Sequence, residues 1–119
     1  MSDDEGVTYV PMTKEEVQEA IEDALELKTD MGREIVKAAL ECIKLFDDKQ
    51  QDYGSMNILM SGEIGVACRL LDKASRIRHI LVKQLKGDTK INYESLEDAY
   101  IDVANIGMIG MLLSRNLWK

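Results

Sequence analysis

Polar residues at regular spacing in a long apolar segment are the side chains of this sequence best placed to do chemistry. The segment spans residues 92–115, and positions 99–113 are almost entirely apolar. The polar residues, here called the acidic row, are Glu94, Asp98, Asp102 and Asn105. Their spacing of i, i+4, i+8 and i+11 places them on one face of a helix. Because a buried carboxylate without a partner is costly, Asp102 requires a cation, a metal ion or strong donors.

A cationic row lies earlier in the chain, where Arg69, Lys73 and Arg76 share one helical face with Asp72. Two interpretations are open. In the first, these cations pair with the acidic row and hold two helices together. In the second, the carboxylates bind Mg²⁺, a hard ion that takes oxygen ligands, and the cations bind phosphates. A metal that bridges phosphate oxygens polarises phosphorus and activates water for attack.

The elements that would position these residues are helices. Thr13 and Glu16 form a capping-box pattern at the first helix start, and Gly54 is a candidate left-handed cap after the second. The helices are expected over residues 13–28, 30–50, 61–86 and 92–115. Residues 57–61 are expected to form a loop. The predicted core positions of the third helix are Ala67, Leu70, Leu71, Ala74, Ile77, Leu81 and Leu85.

Short loops between these helices favour antiparallel neighbours. The fold class predicted is therefore all-α, a four-helix-bundle-like domain over residues 13–119 that follows a flexible, irregular leader over residues 1–12. A chain of 119 residues with 45% hydrophobic and 31% charged residues suits one such domain.

Composition narrows the possible partners and location. A formal charge of −7 argues against a nucleic-acid partner, which would require a basic face. Cys42 and Cys68 lie among apolar neighbours without metal-ligand spacing, which favours free thiols in a reducing cytoplasm. The acidic N-terminus does not resemble a signal peptide. The apolar run is too short for a membrane span, which needs about 20 residues, so no membrane partner is expected.

The last helix also predicts self-association. It is apolar on every side, and a small-residue face formed by Ala104, Gly107 and Gly110 permits close approach of another helix. That helix belongs either to the same chain or to a second copy. The two features together favour a homo-oligomer.

The common catalytic signatures are missing from the sequence. His79 is the only histidine, which excludes a Ser-His-Asp triad, and neither a GxxxxGK[ST] nor a GxGxxG loop is present. Any nucleotide chemistry is therefore expected to be of the all-helical, metal-carboxylate type.

Three stretches, taken in order, resemble one known family. Residues 49–55 resemble a K-x-x-D-Y-G-S turn, residues 69–77 an R-x-x-D-K-x-x-R-[IL] helix, and residues 94–105 an E-S-x-x-D-x-x-x-D-[LV]-x-N helix. In this order they resemble the nucleotide modification associated domain 1 family of bacteriophages and bacteria. The resemblance covers roughly residues 40–114.

That family is all-helical and is grouped with the MazG-like nucleoside triphosphate pyrophosphatases. The resemblance implies a phage-encoded protein of the host cytoplasm that binds a (deoxy)nucleoside triphosphate with Mg²⁺ and hydrolyses it to monophosphate and pyrophosphate. The substrate-binding residues it implies are Asp52, Tyr53, Arg69, Lys73, Arg76 and Asn105. The metal ligands it implies are Glu94, Asp98 and Asp102, of which Asp98 and Asp102 are the catalytic pair.

Two alternatives stand beside this hypothesis. The MazG-type EExxE helix has no equivalent near Glu63, which favours a protein that binds or sequesters a nucleotide without catalysis. The other alternative is a structural helical interaction module whose charges serve only as salt bridges between helices.

Overall fold

The computed structural model describes residues 10–88 and 93–119, without the side chains of Tyr93 and Glu94. Over these ranges the chain is all-helical and contains no strand. The helices are α1 (Lys14–Ala24), α2 (Asp30–Tyr53), α3 (Met56–Leu85) and α4 (Tyr93–Ser114). The all-α class and four helices are thus confirmed for the described part. Most of the predicted leader, and residue 92 at the predicted start of the fourth helix, lie outside it.

The chain folds as two compact units, Met1–Glu41 and Cys42–Lys119, and α2 contributes residues to both. In the first unit, the capping box that starts α1 is confirmed. The Thr13 hydroxyl accepts from the Glu16 amide at 3.1 Å, and the Glu16 carboxylate accepts from the Thr13 amide at 3.1 Å. The helix ends at Ala24, earlier than predicted, because Glu26 adopts a left-handed conformation with φ of 53°.

In the second unit, one glycine ends α2 and another lies at a kink within α3. Gly54 is left-handed as predicted, with φ of 67°, and its amide donates to the Gln50 carbonyl at 2.9 Å. Helix α3 begins at Met56, so the expected loop over residues 57–61 is helical. It is followed by a kink at Gly62, where φ of 61° and ψ of −158° lie in a region that essentially only glycine adopts.

The core of the second unit forms where α3 packs on α4. Ile58, Val66, Ile109 and Trp118 are its buried members. A methyl group added at Gly110 would lie 3.4 Å from Val66 Cγ1, so the small-residue face is used at this point for close packing within the chain. The predicted core positions of α3 are confirmed only in part. Leu70 packs against the core, whereas Leu71 is 70% exposed, and Val66, which was not predicted, is buried.

The end of α4 turns the chain back onto this core. Asn116 is left-handed with φ of 56°, and the Leu117 amide donates to the Leu112 carbonyl at 2.8 Å, as in a Schellman motif. The turn carries Trp118 inwards. Its ring packs edge-to-face on Phe46 with centroids 6.0 Å apart, and its Nε1 donates to the Ser55 carbonyl at 3.1 Å.

Helix α4 is not buried on every side, contrary to its all-round apolar composition. Ala99, Asn105 and Ile109 are buried, whereas Tyr100 and Met108 are exposed. Within the described ranges, no helix combines the length and apolarity that crossing a membrane requires.

Candidate functional site

A cavity of about 280 Å³ lies in the second unit, where the end of α2, the first half of α3 and the middle of α4 meet Trp118. One part of its wall is apolar and consists of Phe46, Ile58, Ile106, Ile109 and Trp118. Apart from Gly54, the remaining lining residues are polar: Lys49, Gln50, Tyr53, Asn57, Arg69, Asp72, Lys73, Asp102 and Asn105. The cavity is thus amphipathic, and it approaches the lower end of the size range of about 300–1,000 Å³ for small-molecule sites.

An ion cluster from three helices belongs to the polar part of the wall. Asp102 of α4 accepts from Lys73 of α3 through Oδ2 at 2.9 Å, and from Lys49 of α2 through Oδ1 at 3.1 Å. Asp102 is half-buried and is therefore paired with two cations rather than one. Because each lysine comes from a different helix, the cluster fixes the relative positions of the three helices at the cavity.

The two lysines also set the pKa of Asp102. Partial burial raises the pKa of this carboxyl, but the hydrogen bonds and charges of Lys73 and Lys49 outweigh burial and hold the pKa below its usual value. Asp102 is therefore a carboxylate at neutral pH. A depressed carboxyl pKa contributes stability above the unfolded-state pKa, and this contribution is lost as the pH falls through the folded-state pKa.

This linkage predicts the behaviour of Asp102→Asn. Near neutral pH the variant should be less stable by roughly 1–2 kcal/mol, between the values for exposed and buried ion pairs, because two ammonium groups lose their shared carboxylate. The difference should be constant above about pH 5 and shrink below about pH 4, as Asp102 of the wild type protonates. Urea unfolding of both proteins across this range measures it. A difference that grows on acidification would contradict the assigned pKa direction.

The cavity wall is positively charged, whereas the chain as a whole is negatively charged. Lys49, Arg69 and Lys73 outnumber Asp72 and Asp102, so the wall carries one net positive charge in a chain of −7. Arg69 is held in place by a hydrogen bond from its Nη2 to Asn57 Oδ1 at 3.2 Å. A cationic wall beside apolar side chains suits a ligand with an anionic group and an apolar group.

Asn105 supplies a polar group at the buried side of the cavity. The residue is 6% exposed, and its Oδ1 has no hydrogen-bond partner within the part of the chain that the structure describes. An unsatisfied buried acceptor costs about 1–3 kcal/mol relative to a satisfied one. The oxygen itself is closed to solvent, so it is an unsatisfied acceptor inside the protein rather than a group exposed in the cavity.

Sequence reasoning identified about half of the cavity's polar wall. Of the predicted site residues, the structure brings together Tyr53, Arg69, Lys73, Asp102 and Asn105. Asp52, Arg76 and Asp98 are exposed and lie outside the wall, and Arg76 donates to the Ser95 hydroxyl. The predicted metal ligand Glu94 has its side chain outside the described residues.

Sequence reasoning missed Lys49, Phe46 and Trp118 as parts of the site. A signal existed for two of them, since Phe46, Lys49 and Tyr53 are spaced at i, i+3 and i+7 on one face of α2. Trp118 carried no such signal. It reaches the cavity only because the chain reverses at Asn116.

The predicted Mg²⁺ site can be compared with the side chains described. Among residues 10–88 and the described side chains of 93–119, no group of three or more His, Cys, Asp or Glu lies close enough to hold a metal ion. Both oxygens of Asp102 accept hydrogen bonds from ammonium groups, so Mg²⁺ would have to displace a lysine to bind there. The described side chains alone do not fit the ion, and the predicted ligand set, which includes Glu94, stays a prediction.

Comparison of the chain with protein-family models, with curated proteins and with solved structures finds no match in any of the three. The functional proposal therefore rests on the chemistry of the cavity and on the resemblance of the three sequence motifs.

Proposed function

We propose that the cavity binds a nucleotide, with the phosphates against Lys49, Arg69 and Lys73 and the base against the apolar wall. The observation that carries this proposal is the division of one small cavity into a cationic part and an apolar part. The lysine side chains are the more exposed, at 48% for Lys49 and 30% for Lys73. The apolar wall is deeper, with Trp118 and Ile109 each 9% exposed. Charge thus lies near solvent, and apolar surface lies inside.

A nucleotide fits this division better than a simple anion or an apolar ligand. Inorganic phosphate would be held by the three cations and would leave the apolar wall empty. An apolar ligand would shield the ion cluster from water and offer it neither a charge nor a hydrogen bond in return, which is costly. A nucleotide supplies an anion for the cations and a flat ring for Trp118 and the isoleucines. The sequence resemblance to a nucleotide-metabolism family supports the same ligand class.

The same resemblance supports a finer proposal, a MazG-like bundle that hydrolyses a nucleoside triphosphate with Mg²⁺. Glu94, Asp98 and Asp102 would hold the ion, and the ion would supply charge neutralisation at the phosphates. In that case the lysines that now neutralise Asp102 would pair with the phosphates. Binding alone, without hydrolysis, is the second candidate, and the occupation of both Asp102 oxygens by lysine favours it.

One incubation tests these proposals together. The protein is mixed with a panel of ribo- and deoxynucleoside triphosphates, with Mg²⁺ or with EDTA, and the nucleotides are then separated by chromatography. Monophosphate and pyrophosphate formed only with Mg²⁺ would show the hydrolase and identify its substrate. Intact nucleotide that remains on the protein after desalting would show the binding protein. Intact nucleotide with none retained would contradict both proposals.

We also propose that a second copy of the chain covers the apolar surface that α3 and α4 leave exposed. On α3, Ile64 and Leu71 follow the kink at Gly62 and are exposed at i and i+7, a spacing that places them along one side of the helix, and Met60 is exposed before the kink. On α4, Met108 and Met111 are exposed at i and i+3. Exposed apolar surface of this kind is typical of a protein interface.

Sedimentation of the wild type at micromolar concentration is expected to show a dimer or larger assembly, and Leu71→Glu is expected to shift it towards monomer. The matched control is Ile43→Glu, a change at an exposed apolar residue of α2 in the same unit. A monomeric wild type would contradict the proposal.

A further inference from the structure

Helix α1 carries a row of carboxylates that few cations balance. Four of them, at i, i+4, i+7 and i+8, form one side of the helix, here called the α1 acidic side: Glu15, Glu19, Glu22 and Asp23. Within the described ranges their only ion pair joins Glu22 to Arg33 at 4.0 Å. The last turn of α1 contains no basic residue, so Glu22 and Asp23 lie where the helix dipole disfavours carboxylates. This side of α1 therefore favours contact with further cations.

Three of these carboxylates meet at a surface cavity of the first unit. The cavity has a volume of about 410 Å³, and its lining residues are Glu19, Glu22, Asp23, Leu27 and Arg33. Three carboxylates and one guanidinium give this wall a net charge of −2. A basic side chain of another molecule would therefore find both room and opposite charge there.

The second half of α3 has the opposite charge. No Asp or Glu occurs between Asp72 and Asp88, whereas five Lys or Arg do. Four exposed basic residues at i, i+3, i+7 and i+10 lie on one side, here called the α3 basic side: Arg76, His79, Lys83 and Lys86. Lys83 and Lys86 form no ion pair with any residue that the structure describes. Their charges are thus available to a partner.

We infer that the α1 acidic side of one copy of the chain lies against the α3 basic side of a second copy. The inference rests on the proposed self-association and names a charged contact within it. The two sides agree in length as well as in sign, because at about 1.5 Å per residue they span roughly 12 Å and 15 Å along their helices. In a dimer with twofold symmetry the contact occurs twice, once in each direction.

The distribution of charge favours a second copy as the partner. Two chains of −7 repel each other unless opposite charges meet. Residues 10–41 carry a net charge of −5, whereas residues 73–87 carry +5, so one chain supplies both surfaces. The α3 basic side also begins within two turns of Leu71, which belongs to the proposed apolar contact. Charged residues around an apolar centre are the usual arrangement of a protein interface.

Charge reversal on each surface tests the contact. Lys83→Glu/Lys86→Glu reverses the α3 basic side, and Glu19→Lys/Asp23→Lys reverses the α1 acidic side. In about 50 mM salt, where exposed charges are weakly screened, each double variant should raise the dissociation constant for self-association by about tenfold or more. Sedimentation equilibrium measures this constant. None of the four side chains lines the cavity beside Trp118, so that cavity should be unchanged.

The control for net charge is Lys37→Glu/Lys44→Glu, at two exposed lysines of α2. It lowers the net charge of the chain from −7 to −11, as Lys83→Glu/Lys86→Glu does, and so adds the same general repulsion. Glu19→Lys/Asp23→Lys instead brings the net charge to −3, which by itself favours association. Association that is weaker in both reversed variants than in the control would therefore show a specific contact.

An equal mixture of the two reversed variants shows whether the contact lies between copies. In a mixed dimer the two native surfaces face each other once and the two reversed surfaces once, so opposite charges meet in both contacts. The mixture should therefore associate with a dissociation constant within about threefold of the wild-type value. A contact within one chain would not be repaired by mixing.

The outcomes separate the inference from the self-association it rests on. A wild type that sediments as a monomer overturns both. A wild type that self-associates, with reversed variants no weaker in association than the control, overturns the charged contact and leaves self-association intact. Reversed variants that remain dissociated when they are mixed would likewise overturn a contact between copies.

Discussion

Trp118→Ala should lower the free energy of unfolding by about 3–5 kcal/mol, the usual range for loss of a buried tryptophan or phenylalanine. Trp118 is 9% exposed and belongs to the buried core of the second unit. Its ring contacts Phe46 of α2, and its Nε1 donates to the Ser55 carbonyl, so one side chain joins the end of the chain to α2 and to the start of α3. The same substitution should enlarge the cavity, because Trp118 forms part of its wall.

Urea unfolding measures this loss, with two further variants for comparison. Trp118→Phe keeps a ring but removes the hydrogen bond to Ser55, and should cost only about 1–2 kcal/mol. Leu117→Ala, at the exposed neighbouring position, should change stability by less than about 0.5 kcal/mol. If Trp118→Ala were no more harmful than Leu117→Ala, the turn at Asn116 would not place the tryptophan in the core.

Lys73→Met should weaken binding of a nucleoside triphosphate by about a hundredfold, because a partly buried charge-assisted hydrogen bond to phosphate contributes up to about 3 kcal/mol. Methionine keeps an apolar stem of similar length, so the packing of the lysine stem is largely retained. Asp102 would still be paired with Lys49 at 3.1 Å. The fold should therefore persist, and the effect on binding can be measured on intact protein.

Lys44→Met is the matched control for this change. Lys44 lies on α2 in the same unit, is exposed, and pairs with Asp48 rather than with a cavity residue. Isothermal titration of both variants compares their affinities directly. Equal affinities for Lys73→Met and Lys44→Met would show that the lysine at the cavity does not contact the ligand.

The parts of the fold that the sequence predicted are those with local signals. Thr13 and Glu16 satisfy each other's backbone amides, and Gly54 provides a left-handed cap without steric cost, so each feature is encoded within a few residues. The register of α3 is different. Val66 and Leu71 are both apolar, but only Val66 is buried. Which of the two is buried depends on where α4 packs, and this cannot be read from the sequence of α3 alone.

The part of the candidate site that the sequence predicted is the part where burial of a charged group requires a partner of opposite charge. Asp102 stood out because a carboxylate in an apolar helix requires a cation, and the structure supplies Lys73 as one of two. Lys49 was missed as that second partner because the contact joins residues far apart in the sequence. Trp118 was missed for a related reason, since a residue beyond the last helix gains its position only from a chain reversal.

The most direct test of nucleotide binding at this cavity is equilibrium dialysis of the wild type against each nucleoside triphosphate of the panel. Each is dialysed with EDTA and again with Mg²⁺, and Lys73→Met is dialysed in parallel. We expect saturable retention of at least one nucleotide by the wild type, at one nucleotide per chain, and a large loss of retention by the variant. No saturable retention of any nucleotide at millimolar concentration, in either buffer, would contradict it.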